Sequence, residues 1–166
     1  MKKKTRGHSD GLKIRGFFRV QLTEDGKGVI GDSGWRENQV TNLGIRQYIV
    51  DWLCSGAGKS VTYMALGTGG APASNATSLS GELTHSTSGR AAVTSSIVDS
   101  GTAQFTAAFG SANSFVTVSA DISNIGLFNI STTGAGTLFA GNTFASSTCA
   151  TNQSVNATYQ IRFASA

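Results

Sequence analysis

Val155-Asn156-Ala157-Thr158-Tyr159-Gln160-Ile161-Arg162-Phe163 is the stretch that decides the fold. Val155, Ala157, Tyr159, Ile161 and Phe163 point one way, and Asn156, Thr158, Gln160 and Arg162 the other. That two-residue period belongs to a strand with one buried and one solvated face. Working back from it, similar runs occupy 61–66, 91–98, 102–109, 115–120, 125–130 and 137–144, at a spacing of roughly ten residues. In the 102–109 run Phe105, Ala107 and Phe109 share one face. Seven short strands separated by Gly and Asn turns predict a mainly β protein, an antiparallel β-sandwich or jelly roll.

The composition suits that reading. A chain of 166 residues supports one domain with a sizeable core. Ser and Thr supply 40 residues and Gly 21, while Pro occurs once and charged residues make up 13%. An ordinary domain carries about 25% charged residues, so hydroxyls rather than ions clothe this surface. Low charge with ample Val, Ile and Phe argues for a folded chain over a disordered one.

The net charge of +4 is concentrated at one end. Residues 1–50 hold ten Lys/Arg against five Asp/Glu, and residues 51–166 hold three against four. Lys2, Lys3, Lys4 and Arg6 dominate, so residues 1–12 read as a flexible basic arm suited to phosphates or an acidic protein surface, or simply solvated. The domain proper is expected over 13–166. Within it, 13–40 reads as a hairpin that alternates from Phe18 to Leu22 and turns at Glu24-Asp25-Gly26-Lys27-Gly28. Trp35 follows in a glycine-flanked segment and is a candidate anchor against the core or a neighbouring subunit.

One helix is expected at 41–54, capped by Thr41 or Asn42. Ile45, Tyr48, Ile49, Trp52 and Leu53 recur at the three- and four-residue spacing of one face, which assigns Tyr48 and Trp52 to the core. Ser55-Gly56-Ala57-Gly58 ends it, with glycine where a left-handed cap is favourable. The helix is expected to lid one face or end of the sheets, with strands filling 61–164.

No apolar run follows Met1-Lys2-Lys3-Lys4 that would make a signal peptide, and no segment approaches a membrane span. The expectation is synthesis in the cytoplasm without membrane association. The sequons at Asn75, Asn129, Asn152 and Asn156 then follow from a Ser/Thr-rich composition. Cys54 and Cys149 are expected as two free thiols.

Catalytic signals fail on inspection. Gly58-Lys59-Ser60 ends like a phosphate-binding loop, but Leu53 stands where the motif needs Gly, and the loop follows a helix instead of opening one. Gly67, Gly69 and Gly70 open no βαβ unit. His8 and His85 have no ligand-like spacing around them. A triad of His85 with Asp99 or Asp121 is easily assembled by chance from 21 serines. Neither cofactor nor metal is expected, and no enzyme. Glu82 is the more informative acid, an interface or turn carboxylate with Arg90 as a candidate partner.

Several motifs share an order with small bacteriophage virion proteins. Ala65-Leu66-Gly67-Thr68-Gly69, then Pro72 and a polar turn, then Leu79-Ser80-Gly81-Glu82-Leu83 resembles their strand end, turn and leucine-x-x-glutamate-leucine segment. Glu37-Asn38-Gln39-Val40-Thr41-Asn42-Leu43-Gly44-Ile45 resembles the lead-in to their helix. Asn124-Ile125-Gly126-Leu127-Phe128 and Leu138-Phe139-Ala140 resemble two later strands. The likeness spans about 37–164, with Asn124 in place of the usual acid and the lysine-rich arm as an addition. It implies a late-expressed virion structural protein on a β-sandwich. The leading expectation is a capsid decoration (cement) protein on the outer head lattice. Its partners would be the major capsid protein or other virion proteins, and it would be a homo-oligomer, a trimer being one form. Nucleic acid is not the expected partner. Lys2, Lys3, Lys4, Arg6, Trp35 and Glu82 are the expected contact residues. Alternatives are a tail, collar or fibre-base protein, or a carbohydrate-binding module using Trp35.

Overall fold

A computed structural model describes residues 11–84 and 89–165. The described residues form ten strands: β1 (Leu12–Glu24), β2 (Gly28–Asp32), β3 (Arg36–Val40), β4 (Tyr63–Gly67), β5 (Ala91–Ala92), β6 (Thr94–Asp99), β7 (Thr102–Phe109), β8 (Ala120–Phe128), β9 (Leu138–Cys149) and β10 (Gln153–Ser165). They pair antiparallel along the path β5-β4-β8-β9-β3-β1-β10-β7-β6, with β2 added beside β1. The mainly β, antiparallel class is therefore as the alternation implies.

Two corners turn this path into facing layers nearly closed as a barrel. In β3, Arg36, Glu37 and Asn38 pair with β1, whereas Gln39 and Val40 pair with β9, so one short strand belongs to both layers. At the other corner β5 pairs with β4 and β6 with β7, and only Val93, whose N–H donates to Thr62 O, separates them. The main core cluster fills the interior, drawing Phe18, Ala157 and Tyr159 from one layer and Met64, Ile125 and Leu127 from the other, and a second, smaller cluster gathers Ala65, Leu79, Phe128 and Leu138. The Phe18 ring lies 5.9 Å from that of Tyr159 and 6.0 Å from that of Phe144.

The β1–β10 zipper is the longest pairing, running from Leu12↔Ser165 to Glu24↔Gln153. Its register puts Val155, Ala157, Tyr159 and Ile161 inside, all buried, opposite Leu22, Val20, Phe18 and Gly16. Leu12 is thus already strand rather than the last residue of an arm. The turn at 24–28 forms as expected, with Gly26 and Gly28 at positive φ. Residues 36–40, expected only as the end of a hairpin, are a strand of their own. Ser33 separates them from β2: its N–H donates to Val20 O and its Oγ accepts from Val20 N–H, each at 2.9 Å.

The helix begins where the cap residue predicts. Thr41 Oγ1 accepts from Gly44 N–H at 2.9 Å while donating to Leu138 O, so the cap also docks the helix on β9. It ends at Gly56, left-handed with φ 67°. Its middle departs from expectation. Asn42–Gly44 and Asp51–Ser55 are α-helical, but Ile45–Val50 is π-helical, and Asp51 N–H bonds back five residues to Arg46 O. A wider turn shifts the apolar stripe out of register. Tyr48 stays buried with its ring 4.8 Å from that of Phe139. Trp52 and Leu53, expected in the core, are 50% and 83% exposed. The core assignment of Trp52 is corrected accordingly.

The 115–120 run is not a strand. A 3₁₀ turn at Ser111–Asn113 and a left-handed Ser114 (φ 51°) fold the chain back, so Phe115 plugs the core against Phe109 at 5.7 Å. The neighbouring strand is β8, which starts at Ala120 and ends before residues 129–130.

Candidate functional site

The expected contact residues fall in different places. Lys2, Lys3, Lys4 and Arg6 lie outside the described residues, as do His8 and His85. Trp35 sits where the chain kinks between β2 and β3 and is 45% exposed, leaving part of the indole available. Glu82 faces inward.

Glu82 and Arg90 form the expected pair, as a buried staple. Arg90 Nε donates to Glu82 Oε1 at 2.5 Å and Nη2 to Oε2 at 3.1 Å, the two side chains being 0% and 5% exposed. Arg90 Nη1 donates to Ile130 O and Ala135 O, and the guanidinium lies 3.4 Å from the centre of the Phe128 ring. One arginine thus ties the 129–136 loop to the segment before β5. Glu82 has almost no surface to offer a partner.

The remnant of a phosphate loop is likewise committed internally. Lys59 Nζ donates to Gln47 Oε1 and Thr137 Oγ1, and Tyr48 Oη donates to Thr137 O at 2.6 Å. Lys59 borders an apolar groove of about 170 Å³ between the helix and the sheet, lined by Tyr48, Ile49, Val61, Phe105, Ile161 and Phe163. The register continues its floor outward through Ala103 to Ile97 on β6, which is 87% exposed.

A second surface lies on the outside of β1 and β10. Lys13, Arg15, Phe17 and Arg162 line a depression of about 350 Å³. Arg15 stands directly opposite Arg162 in the register, and the Arg162 guanidinium lies 4.5 Å from the Phe17 ring centre. Arg162 also donates through Nε and Nη2 to Gln160 Oε1, whose own Nε2 donates to Gln104. Sequence reading placed the positive charge in the arm and missed this cluster. Lys13 and Arg15 could have been read from the alternation of β1, but Arg162 joins them only through the pairing of first and last strands.

Nearby, Arg19 Nη2 meets Asp32 Oδ2 at 2.5 Å, and this contact, with the Gly34 N–H bond, holds the Asp32 carboxyl well below its ordinary range. Asp99 is lowered by the N–H of Gly101, by Thr102 and by Arg162. Asp121 accepts from Thr148 Oγ1. Burial raises the phenols of Tyr48 and Tyr159 and the Cys149 thiol. Cys54 is free and exposed, and Cys149 free and buried.

Among the described residues no three His, Cys, Asp or Glu side chains gather as metal ligands, and no helix is long and apolar enough to cross a membrane. Comparison with family models, curated proteins and solved structures returned no match.

Proposed function

We propose that this chain is a non-enzymatic structural protein of a bacteriophage particle, a decoration protein seated on the outer head lattice and associating with copies of itself. The observation that carries the reading is where the apolar surface lies. Ile97, Leu53 and Val118 are 87%, 83% and 72% exposed on a β body whose surface is otherwise hydroxyl-rich and poor in charge. Scattered exposed apolar residues are ordinary. Here, however, Ile97 continues the floor of an open groove, and the buried ionic and amine groups described above serve internal struts. Such a surface suits neighbours that cover it by shape and neutral hydrogen bonds. The likeness of residues 37–164 to small virion proteins supplies the particle.

Quantitative mass spectrometry of purified virions, scaled to the major capsid protein, tests the reading. A copy number comparable with the capsid lattice is the expected result. A handful of copies per particle would move the protein to a collar, tail or fibre base, and absence from the particle would end the virion reading.

A further inference from the structure

The cross-strand pair Arg15·Arg162 breaks a local rule. Residues directly opposite on one face of an antiparallel pair have Cβ atoms about 5 Å apart, and like charges there destabilise the sheet. Lys13, on the same face two residues along β1 and about 6.7 Å away, adds a third cation. The counter-charge at hand is thin. Glu37 Oε1 reaches Arg15 only at 4.0 Å, with the two side chains 73% and 64% exposed. Asp99 acts on Arg162 from the β6–β7 turn, while its own carboxylate is held by Gly101 N–H. Arg19, next on this face, is already matched by Asp32.

We propose that this face binds an acidic segment of a partner protein, laid along β1 with its carboxylates on Arg15, Arg162 and Lys13. Planar guanidinium groups suit carboxylates; Gln160 takes the Nε–Nη2 edge of Arg162 and the Phe17 ring lies against the group, which together orient its Nη1 side toward a partner. Lysine and arginine two apart on a strand match alternate side chains of an extended peptide, which repeat at the same interval. Glu37 is the internal version of the same contact, a loosely held carboxylate that an external one displaces. Nucleic acid fits less well. Affinity there grows with the number of phosphates neutralised, and this face offers only Lys13, Arg15 and Arg162. The inference rests on the proposed structural role only for the identity of the partner, not for the binding itself.

The test is fluorescence anisotropy of the full-length chain with a fluorescein-labelled peptide of alternating Glu and Ser, and with single-stranded oligothymidine as the rival probe. Saturable peptide binding is expected, weakened roughly three- to fivefold by Arg15→Gln and again by Arg162→Gln. Arg19→Gln, which removes a cation already matched, should leave it unchanged. No peptide binding, equal binding by the double variant, or tighter arginine-dependent binding of the oligonucleotide would each overturn the proposal. Peptide binding by a protein absent from virions would sink the particle reading and leave this one standing. Virion occupancy untouched by the arginine changes, with no peptide binding, would do the reverse.

Discussion

Gly44 meets the sheet so closely that a Cβ there would collide with the backbone carbonyl of Phe139 on β9. Gly16 is crowded too, but by the side chain of Asn38, whose Nδ2 donates to Tyr159 Oη. A side chain can swing away and a paired strand cannot. Gly44→Ala is therefore expected to cost about 3 kcal/mol and Gly16→Ala less, read as urea-denaturation midpoints. Glu82→Ala leaves the Arg90 guanidinium buried without its carboxylate, and should cost about 3–5 kcal/mol in the same measurement. Glu82→Gln, which keeps an acceptor, should lose less. The pH dependence follows from the shifted groups. Asp32, Glu24 and Asp99 are lowered on folding, so their contribution is complete above about pH 5 and is lost progressively as pH falls below it. Tyr48 and Tyr159 are raised, so the folded state favours the neutral phenol and loses stability as pH climbs past about 10. Thermal melts across pH should show a plateau between these limits, and Tyr159→Phe should soften the alkaline fall. An alkaline limb unchanged in that variant would remove Tyr159 as its cause.

Strand β6 is a sheet edge exposed at all six of its positions, with Ile97 and Val98 uncovered and no Lys or Pro to guard it. Ile97→Lys should leave folding stability within about 0.5 kcal/mol, because the side chain packs against little. It should also lower concentration-dependent self-association in sedimentation velocity. Unchanged association would place the contact elsewhere. Element by element, the sequence was most legible where a pattern depended on one strand alone. The 102–109 run matches β7, and the caps at Thr41 and Gly56 bracket the helix. It was least legible where backbone geometry intervened. Apolar spacing assumes a uniform helical pitch, so a π segment carried Trp52 and Leu53 out of the core unannounced. Phe115 and Val116 are as apolar as strand residues and are buried like them, but at the end of a turn.

For the whole molecule, composition and alternation settled the class but not the pairing. Nothing local in Leu12–Glu24 says that its partner is Gln153–Ser165, and the Arg15·Arg162 cluster exists only through that partnership. The Glu82–Arg90 staple was easier, being two opposite charges close in sequence. The same global register makes Arg15→Thr a test of the sheet itself. Removing one of two opposed cations, and supplying a strand-former, is expected to keep or raise the melting temperature despite the lost Glu37 contact. A clear fall would mean that the exposed Glu37 contact outweighs the repulsion.

The β1–β10 zipper also dictates when the protein can exist. Thr23 Oγ1 bonds Ser154 O across 131 residues of chain, and Phe18 has no Tyr159 to pack on until the final strand is made. Such distant closure is slow, on the order of milliseconds to seconds for sheet proteins. During synthesis, then, β1 waits for β10, its apolar face open to other nascent chains until β10 emerges. A ribosome stalled short of Gln153 would hold a chain with β1 to β9 already made and still without a finished core.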